Sequence, residues 1–501
     1  MTSWAGPPLA STLRFLLIPV GLAVLVEALG VGIPSWGLKV FALLYGMTLL
    51  VRTAQDPEWL LGIAILYLPL SRLYPALIAP GVNGANAVVL LMLLALLLRS
   101  AGDRQQPAKS MPAARLVAVW MALSCLSIIH TGFVIGFGVL VDNFSIIKGW
   151  LDQFLVFFCF LYLIRDGAMA RRLLVYMMLG TAVVLGLGVL EWLDKRTLST
   201  IERARLIGPQ FQPNGFAAFL VIGVVPFIAL FVSNLSRWWV WSIVPCLVMF
   251  VRVLLATFSR GAYIGFGLAC VAISYLRGKV FLTSVIAACV GVFALAPDLI
   301  PESLVDRLEQ STGGGGGFAE DLDSSSRTRI VLWNAAIAMT AESPLFGKGF
   351  GMFPLLKDRY TEHPVAEGDN HNMFLYICSQ MGIPALLVFL LIFYRMLILG
   401  IRLHRESPDR FVRGIGMTAV ATVSGTVGLN MFGSRMVDIS VMMHFWVLLS
   451  VVSHLWVEQV ELARGASRER PAEGRLLTGR SRAPRPTERP LQTRGVLRKG
   501  G

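Results

Sequence analysis

The stretch GDNHNMFLYICSQMGIPALLVFLLIFYRMLILGI, from Gly368 to Ile401, starts polar and ends almost wholly apolar. About 20 such residues cross the hydrocarbon core of a bilayer as a helix. No water reaches the backbone there, so it must satisfy its own N–H and C=O groups, and a helix does so. The segment Met381–Ile401 is therefore read as a membrane span. The same pattern recurs outward in both directions, at Thr12–Ile33, Trp36–Val51, Trp59–Ala79, Ala85–Leu98, Leu116–Phe133, Ile147–Ile164, Leu173–Trp192, Gly215–Val232, Trp239–Phe258, Ala262–Leu276, Val280–Ala296, Gly414–Phe432 and Val441–Val460. Trp36–Val51 and Ala85–Leu98 are short, so the expectation is an all-α, polytopic integral membrane protein of about 12–14 transmembrane helices. With 55% hydrophobic and 15% charged residues, the composition is far from that of a soluble domain. The first apolar run is longer than a signal-peptide core and lacks a small-residue cleavage site, so no cleavable leader is expected.

Lys and Arg in short loops set the orientation. They cluster at Arg99–Arg115, Arg165–Arg172, Arg277–Lys279 and Arg402–Arg413. With fourteen spans all four clusters fall on the side of both termini, which is expected to be cytoplasmic. The loop from about residue 297 to 372 then lies outside.

The net charge of +14 raises the question of nucleic acid. Its distribution argues against it. The segment Ala463–Gly501 carries eleven Lys/Arg against three Glu, is rich in Pro and Gly, and has no apolar period. It reads as a disordered cytoplasmic tail near anionic lipid, and no folded basic module accompanies it. The six cysteines lie singly in or at spans, without CxxC spacing, and read as small packing residues. No phosphate-loop or HExxH motif occurs, and Gly313–Gly317 reads as a flexible linker.

The outer face holds the unusual residues. RTRIVLWNAAIAMTA (Arg327–Ala341) has helical spacing, with Ile330, Trp333, Ile337 and Ala341 on one face. A Gly-rich turn, PLFGKGFGMF, follows, and then a polar stretch with His363 and His371. ERARLIGPQFQPNGFAAFL (Glu202–Leu220) leads into a span, and FSRGAYIGFG (Phe258–Gly267) joins two spans by a tight turn. An Arg in so short an outer turn runs against the positive-inside bias.

The ordered set PQFQPNGFAAFL, SRGAYIGF, RIVLWNAAI…PLFGKGFGMF and HNMFLYICSQMGIPALL resembles the O-antigen ligase/O-antigen polymerase superfamily, over roughly Arg203 to Gly400. The resemblance implies a GT-C-like helical architecture with one large periplasmic loop. It also implies transfer of glycan from an undecaprenyl-diphosphate carrier at the periplasmic face of the bacterial inner membrane, without metal, nucleotide sugar or other cofactor. Three regions follow: N-terminal helices over 1–200, the ligase/polymerase-like domain over 201–462 with its loop at 297–372, and the basic tail over 463–501. By motif, Arg260 is similar to the SRG arginine and His371 to the HN histidine. Arg205 or Arg203 corresponds to the arginine before Pro213-Asn214, and Arg329 to that of the loop helix.

The chemistry wants these residue types. A sugar on a diphosphate lipid already has a good leaving group, so the site needs cations for its growing charge and a base for the acceptor hydroxyl. Arg binds phosphate oxygens bidentately and stays charged; Arg205, Arg203, Arg260, Arg329 and Arg252 are the candidates. Arg252 enters because a charge inside a span is costly without a role. A histidine, with an ordinary pKa of about 6.5, is largely neutral at pH 7 and suits the base. His371 takes that role, with Asp369 orienting the ring and Asn214 and Asn372 supporting by hydrogen bonds. His363 reads as an exposed loop residue, His130, His444 and His454 as packing or interface residues, and His404 lies on the cytoplasmic side. Lys148, Glu27, Arg72 and Asp152 are charges without an assigned role.

The expected partners are the lipid-linked donor, a glycan or lipid A-core acceptor and the bilayer, with no nucleic acid. Polymerase and ligase both fit, and a long loop with room for two large glycans leans toward polymerase. The alternative is a polysaccharide or lipid transporter or flippase, which would show internal repeats and mid-membrane charge pairs. No clear repeat occurs, and the informative charges crowd one face.

Overall fold

The computed structural model describes residues 48, 51, 56–73, 83–102, 111–198, 201–295 and 324–478. The chain forms two compact units, Met1–Val457 and Glu458–Gly501. In the second, the described residues are helical; the candidate site residues lie in the first.

Every regular element among the described residues is a helix. The main ones are α1 (Glu58–Tyr67), α2 (Gly84–Gly102), α3 (Ala114–Ile135), α4 (Phe137–Asp142), α5 (Phe144–Leu163), α6 (Gly167–Lys195) and α7 (Pro213–Ser233). They continue with α8 (Val244–Ala256), α9 (Arg260–Arg277), α10 (Lys279–Leu295), α11 (Ser324–Glu342), α12 (Met373–Met381), α13 (Ile383–Glu406), α14 (Arg410–Met431) and α15 (Ile439–Thr478). Eight are long and apolar enough to cross a membrane: α3, α5, α6, α7, the segment Trp238–Ala256 ending in α8, α13, α14 and the Ile439–Ala463 part of α15. The chain is an all-helical, polytopic membrane protein. The other predicted spans with described residues also form helix, in α1, α2, α9 and α10. Thr12–Ile33, and Trp36–Val51 except for residues 48 and 51, lie outside the described residues. α9 begins and ends on arginine, which shortens its apolar stretch.

Three helices form the centre. Of their apolar windows, 78% is buried in α7, 78% in α14 and 83% in the Ile439–Ala463 segment, against 28% in α3 and 22% in Trp238–Ala256. α14 is fit for the centre because small residues let backbones approach, the usual route to helix association in lipid. A Cβ on Gly265 of α9 would stand 2.9 Å from the Gly425 carbonyl oxygen, and one on Gly428 would stand 2.9 Å from the Gly265 Cα. The four-residue spacing of Gly261 and Gly265 in SRGAYIG is thus a packing seam: a Cβ on Gly261 would meet Phe432 at 2.9 Å. This seam fixes α9 against α14 and sets where Arg260 emerges.

Two features depart from plain helical spacing. The run from Met373 divides into α12 and α13, the latter on the predicted span Met381–Ile401. It breaks at Gly382 (φ +84°), and the Ile383 N–H bonds the Pro344 carbonyl at 2.8 Å. Pro384 has no N–H to offer the preceding turn, which suits a helix start. The Gly-rich turn docks into this break, with Lys348 N–H on Ser379 O at 2.8 Å and Gly349 N–H on Gln380 O at 3.0 Å. Gly347 (φ +66°) allows it, since a Cβ there would stand 2.3 Å from the Gln380 carbonyl carbon. The second departure is α11. Its buried side chains are Leu332, Ala335, Ala336 and Met339, while Ile330 and Ile337 are exposed. Helical spacing marks both stripes equally, and packing against Phe353 and Leu375 selects one.

Candidate active site

At one end of the bundle α8 finishes at Ala256, and Thr257–Ser259 turn the chain into α9, whose first residue is Arg260. Thr257 Oγ1 donates to Leu254 O at 2.6 Å and Tyr263 Oη to Leu255 O at 2.8 Å, so the turn is held from both sides. The segment before α7 zips onto the same turn: Leu206 N–H bonds Ala256 O at 3.1 Å and Arg205 Nε bonds Thr257 O at 3.1 Å. Arg205 Nη2 also reaches Asn214 Oδ1 at 3.4 Å. Glu191 anchors this segment, accepting from the N–H groups of Ile207 and Gly208 at 3.0 and 2.9 Å.

The large loop closes over this end. α11 carries Arg329 and, one turn on, Trp333, whose Nε1 donates to Asn370 O at 2.8 Å. Asn370 is fully buried, and its Oδ1 accepts from Asn372 N–H at 3.1 Å. Asn372 in turn caps α12, accepting from Phe374 N–H at 3.0 Å and Leu375 N–H at 3.2 Å. Between the two asparagines stands His371, with φ +54°. The non-glycine residues with positive φ among the described ones are Phe211, Phe258 and His371, and the last two line one cavity. Such a backbone costs about 1–3 kcal/mol per residue and persists where its surroundings fix it, commonly at functional sites.

That cavity measures about 210 Å³ and is lined by Arg205, Asn214, Arg260, Arg329, His371 and Arg435 together with apolar and small side chains. Among the described residues no carboxylate is on the lining. The N-terminal ends of α7 and α9 both open into it, adding the positive ends of two helix dipoles. His371 Nδ1 lies 3.3 Å from Asp369 Oδ2, and Asp369 Oδ1 accepts from Ser434 Oγ at 2.6 Å. Burial pushes the Asp369 carboxyl up, but the hydrogen bonds from His371 and Ser434 outweigh it and hold the group below its ordinary value.

Of the expected residues, the structure brings together Arg205, Arg260, Arg329, Asn214 and His371, with Asp369 behind the ring and Asn372 at the helix cap. Arg203 is exposed and outside the lining. Arg252 lies with its guanidinium 5.0 Å from the Trp192 ring centroid, also outside the lining. His363 is exposed. Arg72 pairs with Asp438 at 2.6 Å and Lys148 pairs with Asp152, neither on the cavity; Glu27 is outside the described residues.

The sequence reading missed Arg435. It follows α14 in a short turn built by Asn430, whose Oδ1 accepts from the N–H groups of Arg435 at 3.0 Å and Met436 at 3.3 Å. Arg435 Nη1 donates to Gln212 Oε1 at 3.0 Å, and Gln212 also caps α7 through Gly215 N–H at 2.8 Å. Burial lowers the Arg435 guanidinium pKa; Asp369 and Asp438 oppose that, and Arg329 adds to it. A signal was present: like Arg260, it is an arginine in a short turn on the face opposite the basic loops.

Residues 245–390 match the Wzy_C family model, O-Antigen ligase. A search of curated proteins found no match. The matched segment contains Arg260, Arg329, Asp369 and His371, while Arg205, Asn214 and Arg435 reach the cavity from outside it. Residues 245–390 thus carry an O-antigen ligase family segment, and the SRG, RIV and HN motifs within it bring Arg260, Arg329 and His371 to the wall of one cavity.

Proposed function

We propose that this protein is a glycosyltransferase of the bacterial inner membrane that transfers or polymerises glycan from an undecaprenyl-diphosphate-linked donor at the periplasmic face. Both termini are then cytoplasmic, and the acceptor is a growing glycan or the lipid A core. The observation that carries the reading is the convergence of four arginines and one carboxylate-backed histidine on a single cavity at one end of the bundle. Four half-buried guanidinium groups that face one cavity suit an anion, and guanidinium forks match a diphosphate.

The donor places its diphosphate among Arg205, Arg260, Arg329 and Arg435, with its polyprenyl chain in the bilayer. A proton on His371 Nδ1, shared with Asp369, leaves Nε2 bare. Nε2 takes the proton of the acceptor hydroxyl as its oxygen bonds the anomeric carbon. The bond from that carbon to the diphosphate breaks, and the departing lipid diphosphate carries the electron pair into the arginine cluster. The loop over the site limits water, whose attack would waste the donor. The guanidinium groups carry the charge stabilisation in this scheme, with no metal or cofactor invoked. The test is transfer by purified protein from a lipid-linked donor to a glycan or lipid A-core acceptor. Product formed by wild type and lost in Arg260→Ala supports the proposal; wild-type inactivity with both acceptors, alongside transport of the donor, overturns it.

A further inference from the structure

A second cavity lies at the opposite end of the bundle. α7 sends Asn214, near its N-terminus, to the first cavity and Phe227 and Leu230, near its C-terminus, to the second. The second measures about 680 Å³, within the roughly 300–1,000 Å³ typical of small-molecule sites. Its floor is apolar. Val175, Met178 and Leu179 follow one stripe of α6 and share the cavity with Phe227 and Leu230.

The rim is basic. Arg237 and Arg410 both line it and both are exposed. One carboxylate, Asp409, lines the same rim but is already committed: it pairs with Arg171 at 3.1 Å and caps α14 through Phe411 N–H at 2.8 Å. Among the described residues neither Arg237 nor Arg410 has an ion pair, so the rim carries two uncompensated charges. Beside it runs a Trp-rich turn, Trp238–Ile243, with Trp238 at 86% and Trp241 at 55% exposure and Trp239 on the cavity wall. Indole rings in membrane proteins gather at headgroup depth. The cavity therefore runs from two cations at headgroup depth into an apolar floor.

We infer that this cavity is a binding site for an anionic phospholipid, with its phosphate on Arg237 and Arg410 and an acyl chain along Met178, Leu179 and Leu230. A ligand with only an anion would leave the floor empty, and one with no net charge would leave both guanidinium groups uncompensated. The site shares no residue with the arginine cavity, so it stands independently of the proposed transfer activity.

The experiment is native mass spectrometry of the delipidated full-length protein in non-ionic detergent, titrated with phosphatidylglycerol or phosphatidylcholine. Phosphatidylglycerol should be retained in preference, and Arg237→Ala/Arg410→Ala should weaken its retention about 25-fold, at roughly fivefold per cation. Arg237→Lys/Arg410→Lys should keep most of the binding, because an ammonium still pairs with a headgroup phosphate. Leu179→Trp, which fills the floor and leaves both arginines, should weaken binding as well. Equal retention of the two lipids, or wild-type retention in both the alanine and the tryptophan variants, overturns the inference. So does glycerol 3-phosphate displacing the lipid at equal concentration, which would make it a plain phosphate site, or a dimer that forms only when lipid is absent, which would make the occupant a second copy of the chain.

Discussion

Ser434 donates its hydroxyl to Asp369 at 2.6 Å, across 65 positions of sequence. The bond ties the turn between α14 and α15, which carries Arg435, to the loop that carries His371. The ring opposite Asp369 is thus held by a different part of the chain from the one that presents it, and its position depends on both.

His371→Ala is expected to lower transfer by about 10²-fold or more, as loss of a general base does, while binding of lipid-linked donor stays near wild type. His363→Ala, at an exposed position, should stay within a few-fold. Transfer and donor binding measured separately on the purified variants check this. Donor binding lost together with transfer would make His371 a phosphate contact.

The arginines should sort by their place in the structure. Arg260→Ala and Arg435→Ala, both on the cavity, are each expected to cost roughly 10²–10³-fold in transfer. Lysine should rescue poorly at either position because an ammonium lacks the planar fork. Arg203→Ala and Arg252→Ala should be mild, since neither is on the lining. A severe Arg252→Ala beside a mild Arg435→Ala would reverse the assignment of the cluster.

Asp369→Asn keeps the shape of the side chain but removes its charge, and transfer is expected to fall by about 10²-fold or more through loss of the histidine tautomer. Its pH dependence has a definite sign. The folded carboxyl titrates below its ordinary 3.8, so the stability it contributes is complete above that value and is lost as pH falls through the lower folded value. Thermal midpoints of wild type and Asp369→Asn should therefore draw together as pH falls below 3.8. A gap that widens below that pH would contradict the assignment.

Gly265→Val should destabilise the bundle by about 1–3 kcal/mol, as overpacking does, because even a Cβ meets the Gly425 carbonyl oxygen at 2.9 Å. Gly267→Val is the control: a Cβ there meets nothing within 4 Å. Detergent unfolding of the two variants measures the difference, and equal loss in both would rule out the seam as its cause.

Orientation is open to chemical labelling. In a cysteine-free background, cysteines at Gly315 and Glu362 should react with an impermeant maleimide in intact spheroplasts, and one at Arg480 should react only after lysis. The reverse pattern would move the arginine cavity to the cytoplasm.

The sequence by itself determined where the helices run. In lipid each backbone group must find its partner within the segment, so apolar length is nearly sufficient evidence, and every predicted span with described residues contains helix. The resemblance of the ordered motifs also marked Arg260, Arg329 and His371, which the structure places on one cavity. Convergence was decided only by the tertiary structure. Arg205 enters the cavity and Arg203 does not because Leu206 and Arg205 bond to the end of α8, a contact some 50 residues away. Arg435 could not be assigned from its neighbours, since its direction comes from Asn430 and from Gln212, 223 positions earlier. The buried stripe of α11 and the break at Gly382 have the same origin: helical spacing offers a residue several faces, and only the packing of distant helices selects the one that is used.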